Sequence, residues 1–151
     1  DRWFQTQKPG EDPEKSGGDE VDWNSWRGTT FVYEERLHPT AWTGARAVAK
    51  LRQLAEKKTP WFLKVSFHRP HSPYDPPKRL LDAQPAPPAP PVVSSSGWDA
   101  EWRNCSAQMS RDAYCGESDA GEVLLARRAY LASVAFVDEQ IGAVPAGVPG
   151  E

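Results

Sequence analysis

One apolar run sets narrow terms for this fold. Trp61-Phe62-Leu63-Lys64-Val65-Ser66-Phe67 opens directly after Thr59-Pro60 and gives way to a loop at Pro70. Rich in aromatic and β-branched residues, it reads as a strand, and its near-continuous apolarity predicts cover on both faces, as inside a parallel sheet. Just upstream, Ala41, Ala45, Val48, Leu51 and Ala55 recur at spacings of three and four. Thr40 is placed to cap the start of this amphipathic helix, and Lys57 and Lys58 suit the negative end of its dipole. A helix delivered straight into a buried strand is half of an αβ repeat, so the expected fold class is α/β.

The rest of the chain is less regular. Residues 1–35 mix Gly, Pro and charged residues around Trp3, Trp23 and Trp26 without a sustained period and read as an irregular segment with aromatic anchors. After the strand, Pro70 and Pro73 remove ladder donors and force an extended loop, which continues through Pro76 to Pro91. Within it the tract Pro85-Ala86-Pro87-Pro88-Ala89-Pro90-Pro91 favours polyproline II, as a solvated spacer or, in a rival reading, a peptide for a proline-recognising module. A second helix is expected from near Asp119, which forms a capping-box pattern with Glu122. Val123, Tyr130, Val134, Val137 and Ile141 make its apolar stripe, widened by Leu124 and Leu131, and Gly142 is its natural stop. The chain therefore divides into 1–35, a partial domain over 36–142 with a proline-rich loop at 83–97, and an off-pattern tail over 143–151 containing Pro145 and Pro149.

Composition bounds the function classes. Fifteen prolines and eleven glycines, unevenly spread, imply long irregular stretches in a chain whose mean hydropathy is -0.68. A net charge of -3 and a pI near 5.7 argue against a nucleic-acid partner, which needs a basic stripe. No stretch approaches the roughly 18 consecutive apolar residues of a membrane span. The start, Asp1-Arg2-Trp3-Phe4, is neither an initiator Met nor a signal pattern, and the expectation is an interior piece of a longer protein. Cys105 and Cys115 fit either a disulfide across a short loop or two free thiols, and Asn104-Cys105-Ser106 formally fits the N-glycosylation acceptor.

The chemistry concentrates where the strand ends, since ligands of open α/β sheets bind at the carboxyl ends of parallel strands. His68, Arg69 and His71 lie there, two imidazoles and a guanidinium within four residues. Such a donor set suits an oxyanion such as sulfate or phosphate, and a histidine titrating near neutrality can protonate a leaving alkoxide. Three other readings compete. The histidines can be ordinary surface or hydrogen-bonded structural residues. A His-x-x-His metal pair is opposed by Pro70, which denies the helical turn that would converge the rings, and no metal site is assigned. A dyad with Cys105 or Cys115 has no positional signal.

The run from Pro60 through Phe67 and His68-Arg69-Pro70-His71-Ser72-Pro73-Tyr74 is similar to the strand-and-loop segment of sulfatases, the arylsulfatase, choline-sulfatase and iduronate-sulfatase group of the alkaline-phosphatase superfamily. The resemblance extends to His38-Pro39-Thr40-Ala41-Trp42-Thr43-Gly44 and to Arg128-Ala129-Tyr130-Leu131-Ala132-Ser133-Val134-Ala135-Phe136-Val137-Asp138-Glu139-Gln140-Ile141-Gly142. It implies a slice of the family's parallel-sheet domain with long loops, and hydrolysis of a small-molecule or glycan sulfate ester. The chemistry it implies uses a formylglycine, made from Cys or Ser in a Cys/Ser-x-Pro-x-Arg motif, and a calcium ion. No Cys or Ser of this chain fits that motif, and the family's paired aspartates and later metal strand have no counterpart, so the chain alone is expected to be inactive. His71 matches the loop histidine that meets the sulfate and the leaving oxygen; His68 and Arg69 would be neighbouring substrate-binding residues. The resemblance also favours a secretory, lysosomal or periplasmic setting. Rival functions are a phosphonate monoester or phosphodiester hydrolase of the same superfamily, or a non-catalytic interaction segment using the Trp- and Pro-rich loops.

Overall fold

A computed structural model describes residues 2–13, 25–88 and 119–146. Cys105, Cys115, Asn104, Trp23 and the proline-rich tract beyond Pro88 lie outside these residues. Among the described residues four helices carry the fold: α1 (Arg2–Gln7), α2 (Pro39–Ala55), α3 (Lys78–Ala83) and α4 (Ala120–Ala146), with a 3-10 turn at Glu35–Leu37 leading into α2. No helix among the described residues is long and apolar enough to cross a membrane.

The expected first helix is present, with its entry moved. His38, not Thr40, is the N-cap of α2: its side chain accepts a hydrogen bond from the Thr40 backbone N–H, and Pro39 takes the first helical position, where its missing donor costs nothing. The buried face is correspondingly shifted to Thr40, Gly44, Ala47, Leu51 and Leu54, while Ala45 and Ala55 are exposed. Two short helices arise in stretches read as irregular. Helix α1 buries Phe4 against Phe31 and Leu37, and α3 buries Leu80 and Leu81. Local spacing does not reveal helices of six residues, because tertiary burial of one or two side chains holds them.

Helix α4 begins as the sequence indicates. Asp119 Oδ1 accepts from the N–H groups of Gly121 (2.9 Å) and Glu122 (3.1 Å), while the Glu122 carboxylate receives the guanidinium of Arg27 at 2.6 Å. Gly142 does not stop it; the helix runs through Pro145 to Ala146, and the first four residues of the expected off-pattern tail belong to it.

The face that α4 buries is also not the expected one. Ala126, Ala129, Ala132, Ser133 and Phe136 point inward, Ala129 and Ala132 fully, whereas Tyr130, Leu131, Val134 and Ile141 are 40–51% exposed. Small residues are used because the neighbours come close. A Cβ added at Gly44 of α2 would meet the Gln140 side chain at 2.5 Å, and one at Gly28 would meet the Ala126 Cα at 2.8 Å. Leu80 and Leu81 of α3 complete this core with Ala129, Ala132 and Phe136, and Ala41 and Tyr74 pack on it. Arg128 Nη2 caps the end of α3 by donating to the Leu81 carbonyl at 3.0 Å. Gly28→Ala is expected to cost about 1–3 kcal/mol by forcing the loop off the α4 backbone; urea unfolding showing no loss would mean the loop yields without resistance.

Residues 61–67 form no ladder with any other described segment. Their burial alternates: Leu63, Val65 and Phe67 are half-buried, while Lys64, Ser66 and Phe62, the last at 88%, are exposed. That is the period of an extended run covered on one side. The single β pairing among the described residues is a parallel bridge between Gly28 and Tyr74. It is continued by Thr29 N–H to the Tyr74 carbonyl (2.8 Å) and Phe31 N–H to the Pro76 carbonyl (3.1 Å), which fasten the loop following residue 67 to the segment before α2.

Candidate active site

The loop that follows Phe67 is built on a buried ion pair. Arg69 is 2% exposed and Asp75 is fully buried. The guanidinium grips the carboxylate with two parallel bonds, Nε to Oδ1 at 2.6 Å and Nη2 to Oδ2 at 2.9 Å, the bidentate geometry that makes Arg–carboxylate pairs strong. Both Arg69-Pro70 and Ser72-Pro73 peptide bonds are cis.

His38 closes this cluster from the start of α2. It is 1% exposed and stands edge-on between Phe31 and Phe136, with ring centroids 4.7 and 5.1 Å away. Because Nδ1 accepts the Thr40 N–H, a neutral ring carries its proton on Nε2, and that atom lies 3.6 Å from Asp75 Oδ1. The contact is too long for a hydrogen bond, and Nε2 has no other partner among the described residues. Burial pushes the Asp75 carboxyl toward a higher pKa, but His38 and the Arg69 guanidinium outweigh it and hold Asp75 well below the usual carboxylate range.

Above this base, His68 and His71 are exposed. Arg69 Nη1 lies 3.2 Å from His68 Nδ1. A guanidinium can only donate, so Nδ1 of His68 is the acceptor. The His68 ring is stacked on that of His71, with centroids 4.9 Å apart and planes 17° from parallel. His71 Nδ1 is 2.7 Å from the Ser72 carbonyl, to which it must be the donor. In the neutral ring the lone pair is then on Nε2, the atom that gains or gives a proton. The loop thus brings together all three residues singled out from the sequence, with different environments: His71 and His68 face solvent, whereas Arg69 is inside, engaged with Asp75. Asp75 and His38 escaped the sequence reading. The signal for Asp75 was an acid six residues after Arg69 in a proline-bounded loop; nothing local marks His38, which meets it only through the fold.

Among the described residues no group of three or more His, Cys, Asp or Glu side chains comes together as a metal ion requires. Asp75, the buried acid of the site, is already neutralised by Arg69. The residues here therefore do not fit a calcium site.

A concavity of about 480 Å³ lies away from His68 and His71, between Tyr74, Trp26 and the exposed side of α4 at Val123, Arg127 and Tyr130. Its walls are mainly apolar, and Tyr74 meets Tyr130 edge-on at 5.6 Å.

No family profile matches the chain. The chain is, however, 36% identical over 126 residues to an arylsulfatase of Clostridium perfringens (strain 13 / Type A), a match covering 81% of this chain and 25% of that protein. A match of that extent in a chain of 151 residues necessarily takes in its middle, and with it residues 38 to 75. The chain spans about a quarter of the length of the curated relative it matches, and over that stretch the similarity supports a relationship to the sulfatase family.

Proposed function

We propose that this chain is a segment of a sulfuric ester hydrolase and supplies the wall of the active site that faces the leaving group. The observation that carries this reading is His71, which stands exposed on a loop of arylsulfatase-like sequence with its Nδ1 tied to the Ser72 carbonyl. Cleavage of the S–O bond leaves an alkoxide; in its imidazolium form, with both ring nitrogens protonated, His71 delivers the Nε2 proton to that oxygen and is left as the neutral Nδ1–H ring that the Ser72 carbonyl orients. His68, stacked beside it, touches the sulfate ester. Arg69 serves the site from beneath, as the support of His68. The substrate class is a small-molecule or glycan sulfate ester.

The fold proposed for the whole domain is a parallel-sheet α/β sandwich of the alkaline-phosphatase superfamily. Two features support it. Residues 61–67 present Trp61 and Phe62, 44% and 88% exposed, and α4 presents Tyr130, Val134 and Ile141 on one stripe. Further strands beside 61–67 would cover both. Formylglycine and calcium belong to the family resemblance.

The 151-residue chain itself is expected to hydrolyse no aryl sulfate above background. It contains no Cys/Ser-x-Pro-x-Arg motif, and general acid catalysis alone contributes only about 10²- to 10⁴-fold. Incubation of the purified chain with an aryl sulfate, with and without calcium, checks this; calcium-dependent turnover would show that a nucleophile is present in residues assigned to other roles.

A further inference from the structure

The small net negative charge of the chain hides an uneven distribution. Between Arg46 and Lys58 stand five basic residues and one acid, Glu56. Trp42, Arg46, Lys50 and Gln53 follow one another at spacings of four, four and three, so they line one side of α2, and Lys57 continues the line just past its last turn. All five are exposed, whereas the buried face runs through Thr40, Gly44, Ala47, Leu51 and Leu54. A face that is merely solvated usually mixes its signs, because opposite charges four apart stabilise a helix and like charges repel. Arg46 and Lys50 are like charges four apart, and no ion pair among the described residues involves Arg46, Lys50 or Lys57. The helix dipole accounts for Lys57 at the negative end, but it does not favour Arg46 in the middle.

At its upstream end the stripe meets a cleft of about 440 Å³ between α1 and the start of α2. Trp42 and Trp3 line it, with ring centroids 6.0 Å apart and planes 37° from parallel, and Pro39 and Thr43 lie beside them. Trp42 keeps 39% of its surface exposed, and Arg2, also exposed, stands at the same cleft. An indole presents a broad apolar face with the breadth to stack on the C–H face of a pyranose ring, and a guanidinium matches the paired oxygens of a sulfate. We propose that the cleft and the stripe form one binding track for a sulfated polysaccharide. A sugar ring rests against Trp42, one sulfate meets Arg2, and successive sulfates meet Arg46, Lys50 and Lys57, the helical part from Trp42 to Gln53 spanning about 16 Å. Such a track holds a polymer near the enzyme between turnovers, which raises the local concentration of its ester groups. The choice of a sulfated glycan among polyanions rests on the reading of the chain as part of a sulfuric ester hydrolase. It also follows from the overall excess of acid, 21 residues against 18 basic, which would repel the dense phosphate line of a nucleic acid.

The test is equilibrium binding of the purified 151-residue chain to heparin, to heparin stripped of its sulfates, to single-stranded DNA and to phosphatidylserine vesicles, and it needs no turnover. Heparin is expected to bind with an affinity that falls as salt rises, and the other three to bind roughly tenfold or more weakly. Arg46→Glu with Lys50→Glu changes two exposed side chains; it is expected to weaken heparin binding roughly tenfold or more with an unchanged melting temperature. Lys64→Glu with Lys78→Glu alters the net charge equally at exposed sites off the stripe and is expected to stay within about twofold. Trp42→Ala is expected to cost several-fold, and that loss should persist at high salt because stacking is not screened. Equal losses for the two charge-reversed pairs, or no loss for the stripe pair, would overturn the proposal and leave the stripe a solvated face. DNA or vesicles bound as tightly as heparin would overturn it in favour of a nucleic acid or a membrane surface. If heparin binds along the stripe while no sulfate ester is hydrolysed by the joined enzyme, only the hydrolase reading falls; hydrolysis with no stripe-dependent binding would sink the track alone.

Discussion

Asp75→Asn is expected to cost the fold about 3–5 kcal/mol, the usual penalty for removing one partner of a buried ion pair. The loss is not the value of two hydrogen bonds. An amide can still accept one N–H, but Arg69 would keep its full charge in a site where it is 2% exposed, without the Asp75 carboxylate that offsets its lost hydration. Replacing both partners, as in Asp75→Leu with Arg69→Met, is expected to be milder than the two single changes added together, because no uncompensated charge remains. Urea unfolding of the three variants measures this. A loss below about 1 kcal/mol for Asp75→Asn would show that water reaches the pair and that the site is not built on it.

The same carboxylate sets an acid limit. Its folded pKa lies below that of the unfolded chain, so the folded state binds fewer protons through the range between the two values. The stability it contributes is present above the unfolded value, about 4, and is lost as pH falls through the folded value. Asp75→Asn removes that dependence, so the stability curves of the two proteins should converge on acidification below about pH 4. By contrast, Arg79, which bridges Glu35 and Glu139 on the surface at 2.7 and 2.5 Å, links the 3-10 turn, α3 and α4 in water; such pairs contribute about 0–1 kcal/mol.

What the sequence disclosed follows from which interactions are local. The presence of α2, the Asp119 cap and the loop broken by Pro70 and Pro73 rest on neighbours within a few residues, and they were legible. The burial of α4 was not. A helix apolar nearly all round offers two candidate faces, and hydropathy favours the one with the larger side chains, Tyr130, Val134 and Ile141. The choice fell to Ala129, Ala132 and Phe136 because α3 and the Gly28 loop press close to the helix, a steric fact that appears only when Gly28 and Ala126 are seen together. The site divides the same way. His68, Arg69 and His71 are adjacent in the chain and could be named, but the burial of Arg69 depends on Asp75 and on His38, thirty-odd residues upstream. Extended character in residues 61–67 shows in their alternating burial, whereas pairing requires strands that the described residues do not supply.

In a longer polypeptide that joins this segment to a sulfatase nucleophile, His71→Ala is expected to lower kcat/KM by roughly 10²-fold or more for sulfate esters of poorly acidic alcohols. The loss should shrink steadily as the leaving group becomes more acidic, because an activated phenolate departs with little need of a proton. That gradient follows from the geometry: with Nδ1 bound to the Ser72 carbonyl, only Nε2 can pass a proton outward, and a proton counts only where charge builds on the departing oxygen. His68→Ala should act differently. It removes a substrate contact, so it should raise KM across the whole series. The measurement is a plot of log kcat/KM against leaving-group pKa for the unmodified enzyme and both variants. A steeper slope for His71→Ala supports proton donation. A parallel line displaced downward would assign His71 to sulfate binding or to loop structure, since a positioning charge serves good and poor leaving groups alike.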